Sequence, residues 1–254
     1  MINGNYHTHT YRCKHASGSD EEYVIAAIQA GYHELAFTDH APWHLKAGET
    51  DRIRMHIREM DEYVQSIRAL QVKYRNEIKI LVGLEAEYFA DRIDDLRQLV
   101  QQYDLDIVVL GNHFREVDSN NAYYGNYQDY RNLYTHYLED ATAAMRSGIY
   151  KIFAHPDLFF KTVNILNERT LEMINALCTV ALETDTIMEY NLGGKRYRDY
   201  YPNEAFWKIV AARGCKIIVG VDAHSPKHLL DTKMMQEARV FLTKINANLI
   251  TSLD

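Results

Sequence analysis

The stretch Lys216-Ile-Ile-Val-Gly-Val-Asp-Ala-His224 joins a short apolar run to two side chains that can bind metal. A continuous apolar run of this length is typical of a buried strand in a parallel sheet. Asp222 and His224 are separated by one residue, so in an extended chain they point to the same side. The stretch therefore predicts a buried strand that carries two candidate ligands at its carboxyl end.

The same arrangement recurs along the chain, with candidate ligands at the ends of six of about seven apolar runs. In order, the other candidates are His7, His9, Asp39, His40, Glu85, His113 and His155. Amphipathic patterns separate these runs, and the apolar stripe from Ile53 to Ile67 predicts one such helix. Counted in this way, the chain contains about seven strand–helix units. Strands that alternate with helices pair in parallel, so we expect a parallel sheet.

A barrel is favoured over an open sheet by the position of these ligands. In a closed barrel all carboxyl strand ends meet at one rim, where barrel enzymes place their active sites, whereas an open sheet would spread them along a line. No Pro/Gly/Ser-rich linker divides the chain. We therefore predict an α/β fold with a single domain over residues 1–254, a distorted TIM-like (β/α)7 barrel. The ligands exceed the four that one tetrahedral ion needs, which indicates two or three ions and a bridging carboxylate.

The composition is that of an ordinary globular domain, with 254 residues, 47% hydrophobic and 25% charged. The formal net charge of −7 provides no global basic field and argues against a nucleic-acid partner. Three cysteines without a C-x-x-C pair favour a reducing compartment. The sequence shows no signal peptide and no apolar run long enough for a bilayer, so it predicts a cytoplasmic protein without a membrane partner. The oligomeric state is left open.

The ordered motifs resemble the polymerase-and-histidinol-phosphatase (PHP) family, and specifically its histidinol-phosphate phosphatase branch. The matching strings are His7-Thr8-His9, Thr38-Asp39-His40-Ala41-Pro42, Gly83-Leu84-Glu85, Gly111-Asn112-His113-Phe114, His155-Pro156-Asp157 and Gly220-Val221-Asp222-Ala223-His224. They span nearly the whole chain in the family's order. The fold of that family is a distorted barrel of seven strands, in agreement with the number of strands expected from the residues.

The resemblance implies how the ligands are divided among two or three divalent ions. The first ion would be bound by His7, His9, Glu85 and Asp222. The second would be bound by Glu85, His113 and His155, with Glu85 as the bridge. The third would be bound by His15, His40 and His224. For His15, which lies in the loop of residues 11–17, a solvent-facing histidine is the competing interpretation. Imidazole and carboxylate accommodate zinc, iron and manganese alike.

The implied reaction is hydrolysis of a small phosphorylated substrate, L-histidinol phosphate, to L-histidinol and phosphate in histidine biosynthesis. We expect a hydroxide held between two ions to attack phosphorus, with Glu85 and Asp222 acting in catalysis through those ions. The leaving alkoxide needs a proton or a nearby metal ion. His40 or His224 is the candidate donor, provided that it is not fully committed as a ligand.

Basic residues in two loops are the candidates for binding the phosphate group. The loop after the sixth strand contains Lys195, Arg196 and Arg198. The family typically has an arginine there, whose guanidinium can bind phosphate bidentately, and we favour Arg196 over its two neighbours. Lys161 is the nearest basic residue after His155, where the family commonly has an arginine. Glu87 and Glu189 lie near strand ends and are candidates for contact with a substrate amine.

Three alternative functions remain open at this point. One is a PHP-family phosphoesterase that acts on another phosphomonoester, a nucleotide or a nucleic-acid end. Another is a metal-dependent amidohydrolase, which can also begin with His-x-His, although the positions of Glu85 and of Asp222-x-His224 fit that class less well. The third is a non-catalytic metal sensor, which would not require so many ligands around an open site.

Overall fold

The computed structural model describes residues 3–43, 52–117 and 122–253, and within them a parallel sheet forms the centre of the molecule. Eight described strands follow one another in chain order, and each pairs in parallel with the next. They are β1 (Gly4–Asn5), β2 (Glu34–His40), β3 (Lys79–Ala86), β4 (Ile107–Gly111), β5 (Ile152–Ala154), β6 (Ile187–Asn191), β7 (Lys216–Gly220) and β8 (Asn248–Leu249). The predicted parallel α/β fold is confirmed, and the two-residue β8 adds one strand to the seven expected.

The sheet curls until its first strand meets the last ones. Just beyond β1 and β7, Thr8 and Ala223 form a parallel bridge, and the N–H of His9 donates to the carbonyl of Ala223 at 2.9 Å. At the other end of the strands, the N–H of Gly4 donates to the carbonyl of Thr251 at 3.0 Å. We call this junction between β1 and the end of the chain the seam. It produces the distorted barrel and brings the carboxyl strand ends to one rim.

Helices follow the strands and cover the outside of the sheet. They are α1 (Asp20–Ala30), α2 (Met60–Lys73), α3 (Ile93–Tyr103), α4 (Leu133–Arg146), α5 (Glu168–Thr184), α6 (Leu192–Arg196), α7 (Glu204–Ala212), α8 (Pro226–Leu229) and α9 (Thr232–Lys244). The main apolar core lies between these helices and the strands. None of the helices in the described ranges is long and apolar enough to cross a bilayer.

The helix predicted from Ile53 onward is shorter than expected. α2 begins at Met60, and a 3-10 turn at Ile57–Glu59 precedes it. The N–H of His56 donates to the Glu59 carboxylate at 2.6 Å, and the Nδ1 of His56 accepts from the N–H of Arg58 at 3.2 Å. These local hydrogen bonds hold the chain in a tighter turn, so Ile53 lies outside the helix although its spacing fits the stripe.

The interior of the barrel is divided into an apolar end and a polar end. Its apolar part contains Tyr6, Ala36, Ile107, Val109, Ile152, Ala154, Ile187 and Ile218. Side chains alternate along a strand, so the interior positions nearer the carboxyl end are free for polar residues. The register of β2 and β3 pairs His40 with Glu85 at that end. The apolar interior thus closes the barrel beneath a polar rim.

Candidate metal centre

The predicted ligands gather at the carboxyl rim, and four of them flank the seam. His7 and His9 follow β1, while Asp222 and His224 follow β7, on either side of the Thr8–Ala223 bridge. The remaining ligands are Glu85 near the end of β3, His113 after β4, His155 directly after β5, His40 at the end of β2 and His15 in the loop before α1. The barrel therefore places residues that are distant in sequence around one volume.

The carboxylate of Glu85 lies at the middle of the cluster, and its side chain has no exposed surface. Its Oε1 lies 3.0 Å from the Nε2 of His155, 3.3 Å from that of His113 and 3.4 Å from that of His7. Two ligands on one tetrahedral zinc ion, each about 2.0–2.1 Å from it, lie about 3.3 Å apart. The observed separations match ligand atoms that surround shared ions.

Two groups of donor atoms share Glu85. In the first group, the Nε2 atoms of His7 and His9 lie 3.1 Å apart, and the Oδ1 of Asp222 lies 3.6 and 3.4 Å from them. In the second group, the Nε2 atoms of His113 and His155 lie 3.2 Å apart. The groups coincide with the ligand sets that the resemblance implies for the first and second ions.

The third group lies at the outer edge of the cluster. The Nε2 atoms of His15 and His224 lie 2.9 Å apart, and the ring centroids of His15 and His40 lie 5.7 Å apart. His40 also presents its Nδ1 to the Oε2 of Glu85 at 3.0 Å, so it stands between this group and the bridging carboxylate. Cys13 lies nearby, and burial raises the pKa of its thiol to about 12.

The donor set fits divalent metal ions. The Glu85 Oε2, the His40 Nδ1 and the Asp222 Oδ1 are buried and form no hydrogen bond of good geometry among the described residues, although the first two lie 3.0 Å apart. Buried polar atoms are normally hydrogen bonded, and bound cations would satisfy all three. Burial disfavours the charged form of Glu85, but the imidazoles of His113 and His7 outweigh it and hold the pKa of Glu85 well below its usual value. The carboxylate is thus ionised and ready to bind a cation.

The backbone around the ligands is unusual in two respects. His155 and Asp222 have positive φ angles of 32° and 50°, a region that side-chain-bearing residues rarely adopt and that often marks functional sites. Missing Cβ atoms also make room for the carboxylates. A Cβ on Gly111 would lie 2.6 Å from the Oε1 of Glu85, and one on Gly193 would lie 2.5 Å from the Oδ2 of Asp222. The fold therefore adapts its main chain to the ligands.

The four candidate phosphate-binding residues have different surroundings. Arg196 in α6 donates from Nη1 to the carbonyl of Val221 at 3.1 Å, next to Asp222, and its buried Nη2 has no partner among the described residues. Lys161 pairs with Asp199 at 3.1 Å. Of the two other candidates, Lys195 pairs with Glu237 of α9 at 2.7 Å, and Arg198 is exposed. With its guanidinium next to Asp222 and one nitrogen unpaired among the described residues, Arg196 has the surroundings that best suit the phosphate-binding role for which it was favoured.

Glu87 and Glu189 are buried among protein groups. Both are only 1% exposed, and protein donors engage both carboxylates. Glu87 accepts from the Nε1 of Trp43 at 2.8 Å and from Arg54, and it lies 3.3 Å from the Nδ1 of His113. Their burial does not favour contact with a substrate amine, and that contact stays a prediction. The sequence signal was their strand-end position, which did not reveal that they lie beneath the ligands.

Buried histidine and carboxylate ligands at the carboxyl rim of a parallel barrel define a class of barrel metalloproteins. Within that class, the chain belongs to the PHP domain family, whose sequence model matches residues 5–193. The family resemblance of the motifs is thereby confirmed.

Several relatives of known name are similar to this chain over most of its length. The histidinol-phosphatase of Bacillus subtilis is 26% identical over 261 residues, covering 86% of this chain and 92% of the relative. A Deinococcus radiodurans protein named "Probable histidinol-phosphatase" is 29% identical over 234 residues, covering 87% and 85%. The histidinol phosphate phosphatase of Lactococcus lactis, crystallised with zinc, L-histidinol and phosphate, has a TM-score of 0.76 at 19% identity, covering 98% of this chain and 95% of that chain. This last likeness is one of fold.

Proposed function

We propose that this chain is a metal-dependent phosphatase that hydrolyses L-histidinol phosphate to L-histidinol and phosphate, a step of histidine biosynthesis. The observation that carries the proposal is the buried Glu85 carboxylate, which lies 3.0–3.4 Å from imidazole nitrogens of two ligand groups. The names of the relatives support the substrate. A cytoplasmic location, two to three ions and zinc, iron or manganese as the metal stay predictions.

Divalent ions bound by these groups would offset the charge of a phosphate dianion and lower the pKa of a water molecule beside it. The protein itself supplies the remaining parts of the site. Arg196 would bind the phosphate with the guanidinium nitrogen that has no described partner. Burial of the inner ligands His7, His9 and Glu85 keeps bulk water from that part of the site, which strengthens the electrostatic interactions there.

A proton must reach the oxygen of the departing alcohol, and the outer histidines are the candidates for this role. His224 and His40 lie on the outer side of the cluster, and His224 keeps its Nδ1 within 3.2 Å of the carbonyl of Asp222. Only a histidine with one nitrogen released from metal binding can donate a proton. We therefore assign proton donation to His224 or His40, with the other acting as a ligand.

The proposal is tested by measuring the hydrolysis of four substrates with metal-loaded protein, as phosphate release from the two phosphomonoesters and as cleavage product from the other two. The panel is L-histidinol phosphate, a simple phosphomonoester, single-stranded DNA and a cyclic amide. We expect turnover of L-histidinol phosphate to exceed that of the other three. H113A should lose activity while retaining its fold, and H33A is the matched control because His33 is exposed. Hydrolysis of the amide or the DNA without release from L-histidinol phosphate would refute the proposal.

A further inference from the structure

Glu189 in β6 forms hydrogen bonds with several parts of the metal centre from beneath it. The Nδ1 of His7 lies 2.9 and 3.1 Å from its two carboxylate oxygens. The backbone N–H of His155 donates to its Oε2 at 3.3 Å. The side-chain amide of Asn191 donates to the same oxygen at 2.8 Å, and this amide also reaches the Oδ2 of Asp222 at 3.4 Å. One buried carboxylate thus links β6 to the seam and to the end of β5.

The geometry at His7 separates the roles of its two ring nitrogens. Nε2 faces the cluster, 3.1 Å from the Nε2 of His9 and 3.4 Å from Glu85. Nδ1 faces Glu189, and its N–H donates a hydrogen bond to that carboxylate. A carboxylate in this position fixes the ring orientation, selects the tautomer whose Nε2 has a free lone pair and makes that nitrogen a better ligand. Glu189 is itself not exposed to substrate, since only 1% of its surface is accessible.

The neighbouring strand is adapted to this carboxylate. A Cβ on Gly220 of β7 would lie 1.8 Å from the Oε1 of Glu189, a separation that no packing permits. The glycine is therefore required if the Glu189 side chain is to stay where it is. His155, whose N–H Glu189 accepts, has the positive φ of 32° described above. The hydrogen bond stabilises a backbone conformation that holds the His155 ring against Glu85.

We infer that Glu189 is a positioning residue of the metal centre, which orients the His7 imidazole and the His155 backbone so that both rings present Nε2 to the ions. The inference rests on the metal dependence in the proposed function and names a residue outside the ligand set. Glu189 acts through these ligands and does not contact substrate. Its loss should therefore weaken metal binding first and lower turnover as a consequence.

The test compares zinc affinity, measured by competition with a chromogenic chelator, among four proteins. E189Q removes the charge and keeps the shape of the side chain. G220A keeps the charge but displaces the carboxylate. E34Q is the matched control, because Glu34 is also a buried glutamate of the barrel, 5% exposed, but lies at the start of β2, away from the rim. Thermal unfolding of each metal-free protein establishes that it folds. If E189Q does not fold, the zinc affinity of G220A tests the role of Glu189.

Orienting carboxylates of this kind typically change metal affinity by about 10- to 100-fold, and we expect a loss in that range for E189Q and G220A but not for E34Q. The kcat at limiting zinc should fall. The KM for L-histidinol phosphate should stay within about twofold, because KM changes on its own only when a residue that binds the substrate is lost. Unchanged zinc affinity in the folded variants, or an equal loss in E34Q, would overturn the inference. A wild-type protein that binds zinc but releases no phosphate would refute the proposed function and leave the affinity comparison valid.

Discussion

Replacing Glu85 by Gln removes one negative charge from the centre of the cluster and leaves the shape of the side chain almost unchanged. The carboxylate lies 3.0–3.5 Å from nitrogens of the imidazoles around it. At about 4 Å and an effective dielectric constant of about 20, a unit charge interacts with another by about 4 kcal/mol. That energy corresponds to a change in Kd of about a thousandfold. We therefore expect E85Q to bind zinc at the two Glu85 groups about a thousandfold more weakly.

The measurement is zinc affinity by chelator competition, together with the zinc equivalents retained after desalting and the rate of phosphate release. E34Q is again the control, because it removes a buried carboxylate far from the rim. The expected E85Q protein folds, retains fewer zinc equivalents and loses turnover at any zinc concentration that saturates the wild type. E85Q with wild-type zinc content and affinity would refute the bridging role, because removing the charge of a ligand shared by two ions must lower the affinity for zinc.

Three further variants examine two other parts of the site and one buried ion pair outside it. H15A should lose one tightly bound metal equivalent by elemental analysis and retain the pair centred on Glu85; an unchanged metal content would exclude His15 as a ligand. R196A should raise KM for the phosphomonoester about 10- to 100-fold, because hydrogen bonds to charged groups contribute about 1.5–3 kcal/mol, while R198A should stay within about twofold; equal effects would contradict the assignment. R12A should lower the free energy of unfolding in urea by about 3 kcal/mol, because it leaves the buried Asp20 carboxylate without its bidentate partner; an unchanged midpoint would show that this ion pair contributes nothing.

The barrel and the two ligand groups that share Glu85 could be predicted because each of their ligands lies at or just after the end of an apolar run, whereas His15 lies in a loop. Parallel strands have their carboxyl ends on the same side, so Glu85 and His155 had to meet once the sheet curled. The sequence could not show how the sheet closes. The bridge between Thr8 and Ala223 depends on the accumulated twist of all the strands between them. β8 is only two residues long and has no alternating pattern to reveal it.

The supporting residues were harder to predict than the ligands. Glu189 and His7 are 182 positions apart, and their contact exists only because β6 and the seam enclose the same interior. Strand alternation correctly places Glu189 and Asn191 on one face. It does not say whether that face is open to substrate or lies beneath the ligands. Burial decides this question, and burial is a property of the closed barrel.

The seam has a consequence for the order of events during synthesis. The first ion would need His7, near the start of the chain, and Asp222, more than two hundred residues later. A growing polypeptide exposes His7 and His9 to the cell long before Asp222 leaves the ribosome, and until then the strand that bears them has no partner at the seam. The first site can therefore be completed only after almost the whole barrel has been translated. A product that stops before β7 would retain the Glu85 group of His113 and His155 and the pairing of β1 with β2, but it could not complete the first site or form the seam.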